Sequence, residues 1–190
     1  MTSQAQIRSI DLSEISPEIL LLLRECGAMK RPHSGRTLFH HLIGTYSLLR
    51  SWGNADSVCF SGLFHSIYGT NAFKHKTLLP EHRPRLQKLI GNKSEALAWA
   101  FCHINRPWAI IESFEGKAFV MPEIELTAQD WAILAEIEVA NLIEQGDIGN
   151  ALRDLYCVEL DHPGALSTGA FTALKYSLSQ HLHLKHSAHS

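Results

Sequence analysis

"HSGRTLFHHLIGTYSLLRSWGNADSVCFSGLFHSIYG", running from His33 to Gly69, is the stretch whose reading decides the fold. On a helical wheel at about 100° per residue, Leu38, Leu42, Thr45, Leu49 and Trp52 fall on one stripe, alternately four and three apart. That spacing predicts a helix over roughly 37–52, stopped by Gly53. His41 lies on the edge of the stripe and His40 lies opposite, so His41 should look into the protein and His40 into water. The second half predicts a helix over roughly 56–67, ending at Gly69. Cys59, Phe60, Leu63, Phe64 and Ile67 cover most of its circumference, as expected of a helix buried at the centre of a fold. Its remaining stripe holds Val58, Ser61, Gly62 and His65, and the small residues leave room in front of the imidazole.

The same reading extends outward as helices. Ser16-Pro17-Glu18 is a helix start, with a capping hydroxyl, proline in the first turn and an acid next, and Gly27 is a stop. "MKRPHSGRT" (29–37) reads as a polar connector, and 71–83 as a loop. Short helices are expected near 84–90 and 94–104, the second opened by a capping box of Asn92 and Glu95. Residues 113–126, "SFEGKAFVMPEIEL", are the least helical part and read as a loop or small hairpin. Thr127 with Asp130 caps a long helix to about Gln145, and helices near 148–157 and 167–183 complete the chain. The expected fold is an all-α bundle with at most a minor hairpin.

The bulk composition fits one domain over residues 1–190, with loose tails at 1–12 and 184–190. Hydrophobic residues make up 45%, enough for a real core. Seventeen Lys and Arg against nineteen Asp and Glu give a net charge of -2, with no basic field for nucleic acid. No apolar run reaches membrane-spanning length, and the N-terminus lacks a signal-type segment, so a cytoplasmic protein is expected. Cys26, Cys59, Cys102 and Cys157 show no CxxC pair and read as reduced core residues with raised pKa values. Twelve histidines is a high count; His181, His183, His186 and His189 crowd a tail too irregular to be a built metal site.

Three predicted helices point polar groups inward. In the long helix Trp131, Ala135 and Leu142 form an apolar stripe with Glu138 in its middle and Asn141 beside it, whereas Glu136 and Glu144 fall on outer faces. A buried carboxylate needs a cation, a metal or hydrogen-bond donors, or else it holds its proton. His103 shares a small-residue face with Ala96 and Ala100. Imidazole and carboxylate suit a divalent transition metal, and bundle cores are common places to build one. A lone buried imidazole or acid is more often a hydrogen-bonded core residue, and an arginine or lysine is the commoner partner of such an acid.

His41, followed twenty-four residues later by His65 in "GLFHS", resembles the HD-domain superfamily, and 33–70 most resembles the start of the RelA/SpoT-type hydrolase domain. The likeness continues weakly through "RPRLQKLIGNKSEALAWAFCHIN", and "LAEIEVANLIEQ" is similar to that family's later acidic helix. The whole pattern is also similar to an uncharacterised HD-like bacterial family. The resemblance implies a helical domain with a metal held by His41 and His65, with Glu138 in the place of the last ligand. Where the family has the Asp of its His-Asp pair this chain has Ser66, and "IYGTN" (67–71) lacks the acids that activate water in RelA/SpoT-type hydrolases. Hydrolysis of a guanosine alarmone is therefore not expected.

The expected function is that of an HD-like metal-dependent enzyme of hydrolytic type, acting on a small anionic metabolite such as a phosphorylated one. One divalent ion (Fe, Mn or Zn) would be held by His41, His65 and Glu138, with His103 a further candidate. Ser34, Arg36 and Thr70 would bind substrate, Arg36 bidentately, while His33, Ser66 and Tyr68 would orient it or move protons. These hydroxyls serve equally well to end a buried helix. Two alternatives stay open: an HD-like iron oxygenase, which would want His82 and His103 as ligands, and a metal-free domain that binds a ligand or partner. Oligomeric state is not legible.

Overall fold

The computed structural model of the chain describes residues 12–33, 35–69, 78–117 and 124–187, with side chains through Gln180. Among these residues nine α-helices accompany one two-stranded antiparallel hairpin. In order they are α1 (Pro17–Glu25), β1 (Pro32–His33), β2 (Arg36–Thr37), α2 (Leu38–Ser51), α3 (Asp56–Leu63) and α4 (Arg83–Ile90). There follow α5 (Asn92–His103), α6 (Trp108–Phe114), α7 (Ala128–Gln145), α8 (Asn150–Asp161) and α9 (Thr168–Ser187). The fold is all-α with a small hairpin. None of the described helices is long and apolar enough to cross a membrane.

Local chemistry sets most boundaries. Ser16 caps α1 by accepting the Ile19 N–H, and Gly27 takes a positive φ of 74° past its end. Thr37 caps α2 in the same way by accepting from His40. At α7 the Thr127 hydroxyl accepts the Asp130 N–H while the Asp130 carboxylate accepts the Thr127 N–H, a complete capping box.

Five expectations are corrected. The described hairpin pairs Pro32 with Thr37 and His33 with Arg36, inside the segment read as a polar connector. Of 113–126, residues 113 and 114 finish α6, which the sequence reading had not anticipated, and 118–123 lie outside the described residues. The helix expected over 56–67 ends at Leu63. Gly62's carbonyl, which a continued helix would offer to the Ser66 N–H, is taken instead by the N–H and the ring Nδ1 of His65. Helix α5 begins from Gly91, which has no side chain to cap it, so Asn92 stands inside the helix, and Glu95 turns into the interior. The C-terminal helix continues to Ser187, past the end expected at 183.

Helix α2 packs between α3 and α7, and α3 also rests on α5 and α7. Two glycines set these approaches. A Cβ at Gly62 would collide with Leu49 Cδ1 across the α2/α3 contact. A Cβ at Gly44 would stand 2.8 Å from Glu144 Cγ and 2.9 Å from its Cδ across the α2/α7 contact. The core runs through these helices, with Leu38, Leu42, Leu49, Leu63, Phe64, Phe101 and Ile137 fully covered.

Candidate functional site

His41 and His65 meet. Their Nε2 atoms are 3.0 Å apart, their rings are nearly perpendicular at 79°, and each residue is only 1% exposed. His41 comes from the first half of α2 and His65 from the turn that follows α3. That turn is pinned from behind by the Cys102 thiol, which donates to the His65 carbonyl. Phe101 of α5 presents its ring edge-on to His65 at 5.3 Å between centroids.

Each imidazole is held by its other nitrogen. His65 Nδ1 is 2.7 Å from the Gly62 carbonyl oxygen, and a carbonyl can only accept, so the proton sits on Nδ1. His41 Nδ1 donates to Glu144 Oε2, whose other oxygen takes the Arg36 guanidinium. Both Nδ1 atoms are thus spent as donors, and in the neutral rings both Nε2 atoms carry lone pairs. Two lone pairs 3.0 Å apart repel unless a proton or a metal ion lies between them. Burial, reinforced by the nearby His41 and Arg106, drives the His65 pKa well below its ordinary value, so this ring is neutral.

The β1–β2 hairpin lies over the pair. The His33 ring stacks on His41 at 4.3 Å and 27°, and burial, aided by His41, lowers its pKa to about 4. Arg36 donates to the Glu144 carbonyl at 2.7 Å as well as to its carboxylate, and 42% of its side chain remains exposed. His33, Arg36, His41 and His65 are therefore gathered in one place. Ser66 is buried beside His65. Ser34 and Thr70 lie outside the described residues.

Other expected site residues stand elsewhere. Glu138 is buried, but it pairs with Arg106 and accepts from Asn141 at 3.3 Å; of the partners a buried acid can have, it has the cation. Arg106 also lies over the Phe101 ring at 3.9 Å, which puts this ion pair behind the His65 pocket wall. The Tyr68 phenol donates to Glu95 Oε1 at 2.8 Å, and burial with Glu95 beside it raises its pKa strongly. His103 is exposed and stacks on Trp99 at 4.0 Å; His82 is exposed on the turn before α4. Cys59 and Cys102 are buried and Cys26 half-buried, with burial raising their thiols to about 11, 12 and 11 respectively. Cys157, expected in the core, is exposed.

Three buried acids were missed, one of them Glu136, which was placed on an outer face but is buried and accepts from Asn54 and Ser167. Glu144 was placed on an outer face by the wheel, yet its side chain is only 6% exposed. Its signal was Gly44, one turn beyond His41: a mid-helix glycine costs about 1 kcal/mol against alanine, which is reasonable where another group must approach closely. Glu95 is fully covered and holds Arg83, Gln87 and Tyr68 together, joining α4 to α5. Its likeness to a capping residue concealed that role.

Two ligands about 2.0–2.1 Å from one ion stand about 2.9 Å apart at a right angle and about 3.3 Å apart at a tetrahedral one. The histidine pair fits two adjacent positions on one divalent ion. Among the described residues no group of three or more His, Cys, Asp or Glu side chains is arranged about a common point. A groove of about 380 Å³ between α6 and α8, lined by Trp108, Phe114 and Asp161 among others, contains none of the residues gathered here.

Residues 22–106 are similar to a family described as a domain of unknown function, DUF6817. The matched stretch includes His33, Arg36, His41, His65 and Arg106, but not Glu138 or Glu144. No curated protein and no solved structure matches the chain.

Proposed function

We propose that this chain is an HD-like metal-dependent enzyme that acts on a small anionic metabolite, with a phosphoester as the favoured substrate and hydrolysis as the favoured reaction. His41 and His65 are its protein ligands. The reading is carried by one observation: two buried Nε2 atoms approach to 3.0 Å while both Nδ1 atoms are already committed as donors. That is how metal-binding imidazoles are prepared, with the far nitrogen donating to a carbonyl or carboxylate and the near one left as a lone pair. A divalent ion in such a site polarises a phosphoryl oxygen or lowers the pKa of bound water. His41 and His65 would hold such an ion among the described residues, and it would supply that polarisation to water or substrate.

Arg36 supplies the cation for the substrate. It reaches Glu144 through one terminal nitrogen, and the rest of its guanidinium can take a phosphate or carboxylate oxygen. His33 is neutral over the pair and suits proton transfer or stacking. The burial of both ligand rings supports a second reading, a metal-free binding domain in which the two imidazoles share one proton.

The test is phosphate release from a panel of phosphomonoesters and nucleotides by tag-free protein supplied with zinc, manganese or ferrous iron. Metal-dependent turnover that disappears in His41→Ala is expected. Thermal stabilisation by the same compounds without turnover in any metal would establish the binding domain instead. An absence of both would end the phosphoester reading.

A further inference from the structure

Glu144 stands at a crossing of three elements. Its Oε2 accepts from His41 Nδ1 on α2, and its Oε1 is 2.5 Å from Arg36 on β2. Its own backbone carbonyl also accepts from Arg36. Gly44, one turn along from His41, leaves the space in which the carboxylate lies. The side chain is covered. Burying a carboxylate costs several kcal/mol unless it is paired and hydrogen-bonded; here the partners are an imidazole and a guanidinium.

We propose that Glu144 is the positioning residue of the site. It fixes His41 as the Nδ1–H tautomer with Nε2 turned toward His65, and Arg36 holds the carboxylate in that orientation. Without an acceptor at Nδ1, His41 would be free to carry its proton on Nε2 and donate it to the His65 lone pair 3.0 Å away. That tautomer closes the pair on itself and removes one of the two lone pairs a metal needs. Glu144 thus keeps the two rings from satisfying one another. The role deepens the metal reading of this site and rests on it for the affinity measurement only.

The experiment uses the full chain with ¹⁵N-labelled histidines. Ring nitrogen shifts of the metal-free protein report the His41 tautomer, and zinc titration reports affinity. Glu144→Met keeps the volume and offers no oxygen acceptor; Glu144→Gln keeps a carbonyl that can accept from Nδ1. The expected wild-type signature is a protonated Nδ1 on His41, with Nε2 bare once zinc binds. Glu144→Met should move the proton toward Nε2 and weaken zinc about 10–100-fold, the usual effect of losing such a partner. Glu144→Gln should restore the tautomer and part of the affinity, and Glu138→Gln should change neither. A wild-type His41 without a proton on Nδ1, or an Nδ1 proton unchanged in Glu144→Met, overturns the role. A wild type that takes no zinc but loses the Nδ1–H tautomer in Glu144→Met keeps the positioning role and removes the metal reading.

Discussion

Glu138 and Glu144 lie two turns apart on α7, and their partners give them different work. Glu138 faces Arg106, whose side chain is 10% exposed against 4% for the acid. Removing one partner of such a pair leaves a buried charge uncompensated, at a cost of about 3–5 kcal/mol. Arg106→Leu should therefore lower the urea midpoint sharply, whereas Arg106→Leu combined with Glu138→Leu should recover much of the loss. Equal destabilisation in the single and double variants would show that the ion pair is not what holds this corner. Zinc uptake by the folded double variant should match wild type, since neither residue touches the histidines.

At the scale of elements, the α2/α7 contact is the one that assembles the site. Gly44→Ala would put a methyl group against the Glu144 side chain, so either the carboxylate or the helix must shift. Overpacking of this kind costs about 1–3 kcal/mol, and the displaced carboxylate should also loosen zinc. A Gly44→Ala protein with wild-type stability and wild-type zinc affinity would mean that the close approach has no consequence. The helical order was legible because α2 and α7 carry periodic apolar stripes and α1 and α7 carry side-chain caps. His41 and His65 were legible for the same reason, as polar groups on apolar faces. Glu144 was not, because a wheel drawn for one helix assumes one buried face. Helix α7 meets α2, α3, α6, α8 and α9, and it buries Glu136 as well as Glu138. The end of α3 at Leu63 was hidden too, since a side-chain bond to a backbone carbonyl leaves no mark on periodicity. The same holds for the hairpin: two residues per strand are too few to show alternation.

For the molecule as a whole, the depressed imidazoles tie stability to pH. His65 lies well below 6.5 and His33 falls to about 4, burial being the first cause in each. In the unfolded chain both titrate near the ordinary value of 6.5. The unfolded state therefore binds more protons below that pH, and stability rises with pH there. The contribution is complete above about pH 6.5 and is lost as pH falls toward and below the folded values. Urea midpoints of the metal-free protein should stay level from pH 7.5 to about 6.5 and drop from there to 4.5, and the drop should be smaller in His33→Gln. A midpoint flat across that range would contradict the neutral, buried pair. The most direct test of the central claim is the metal content of the tag-free protein after equilibration with zinc and exhaustive dialysis, measured beside His65→Ala. The account predicts about one ion per wild-type chain and none in a folded His65→Ala protein. Wild type without metal, or His65→Ala with the same content as wild type, would contradict it.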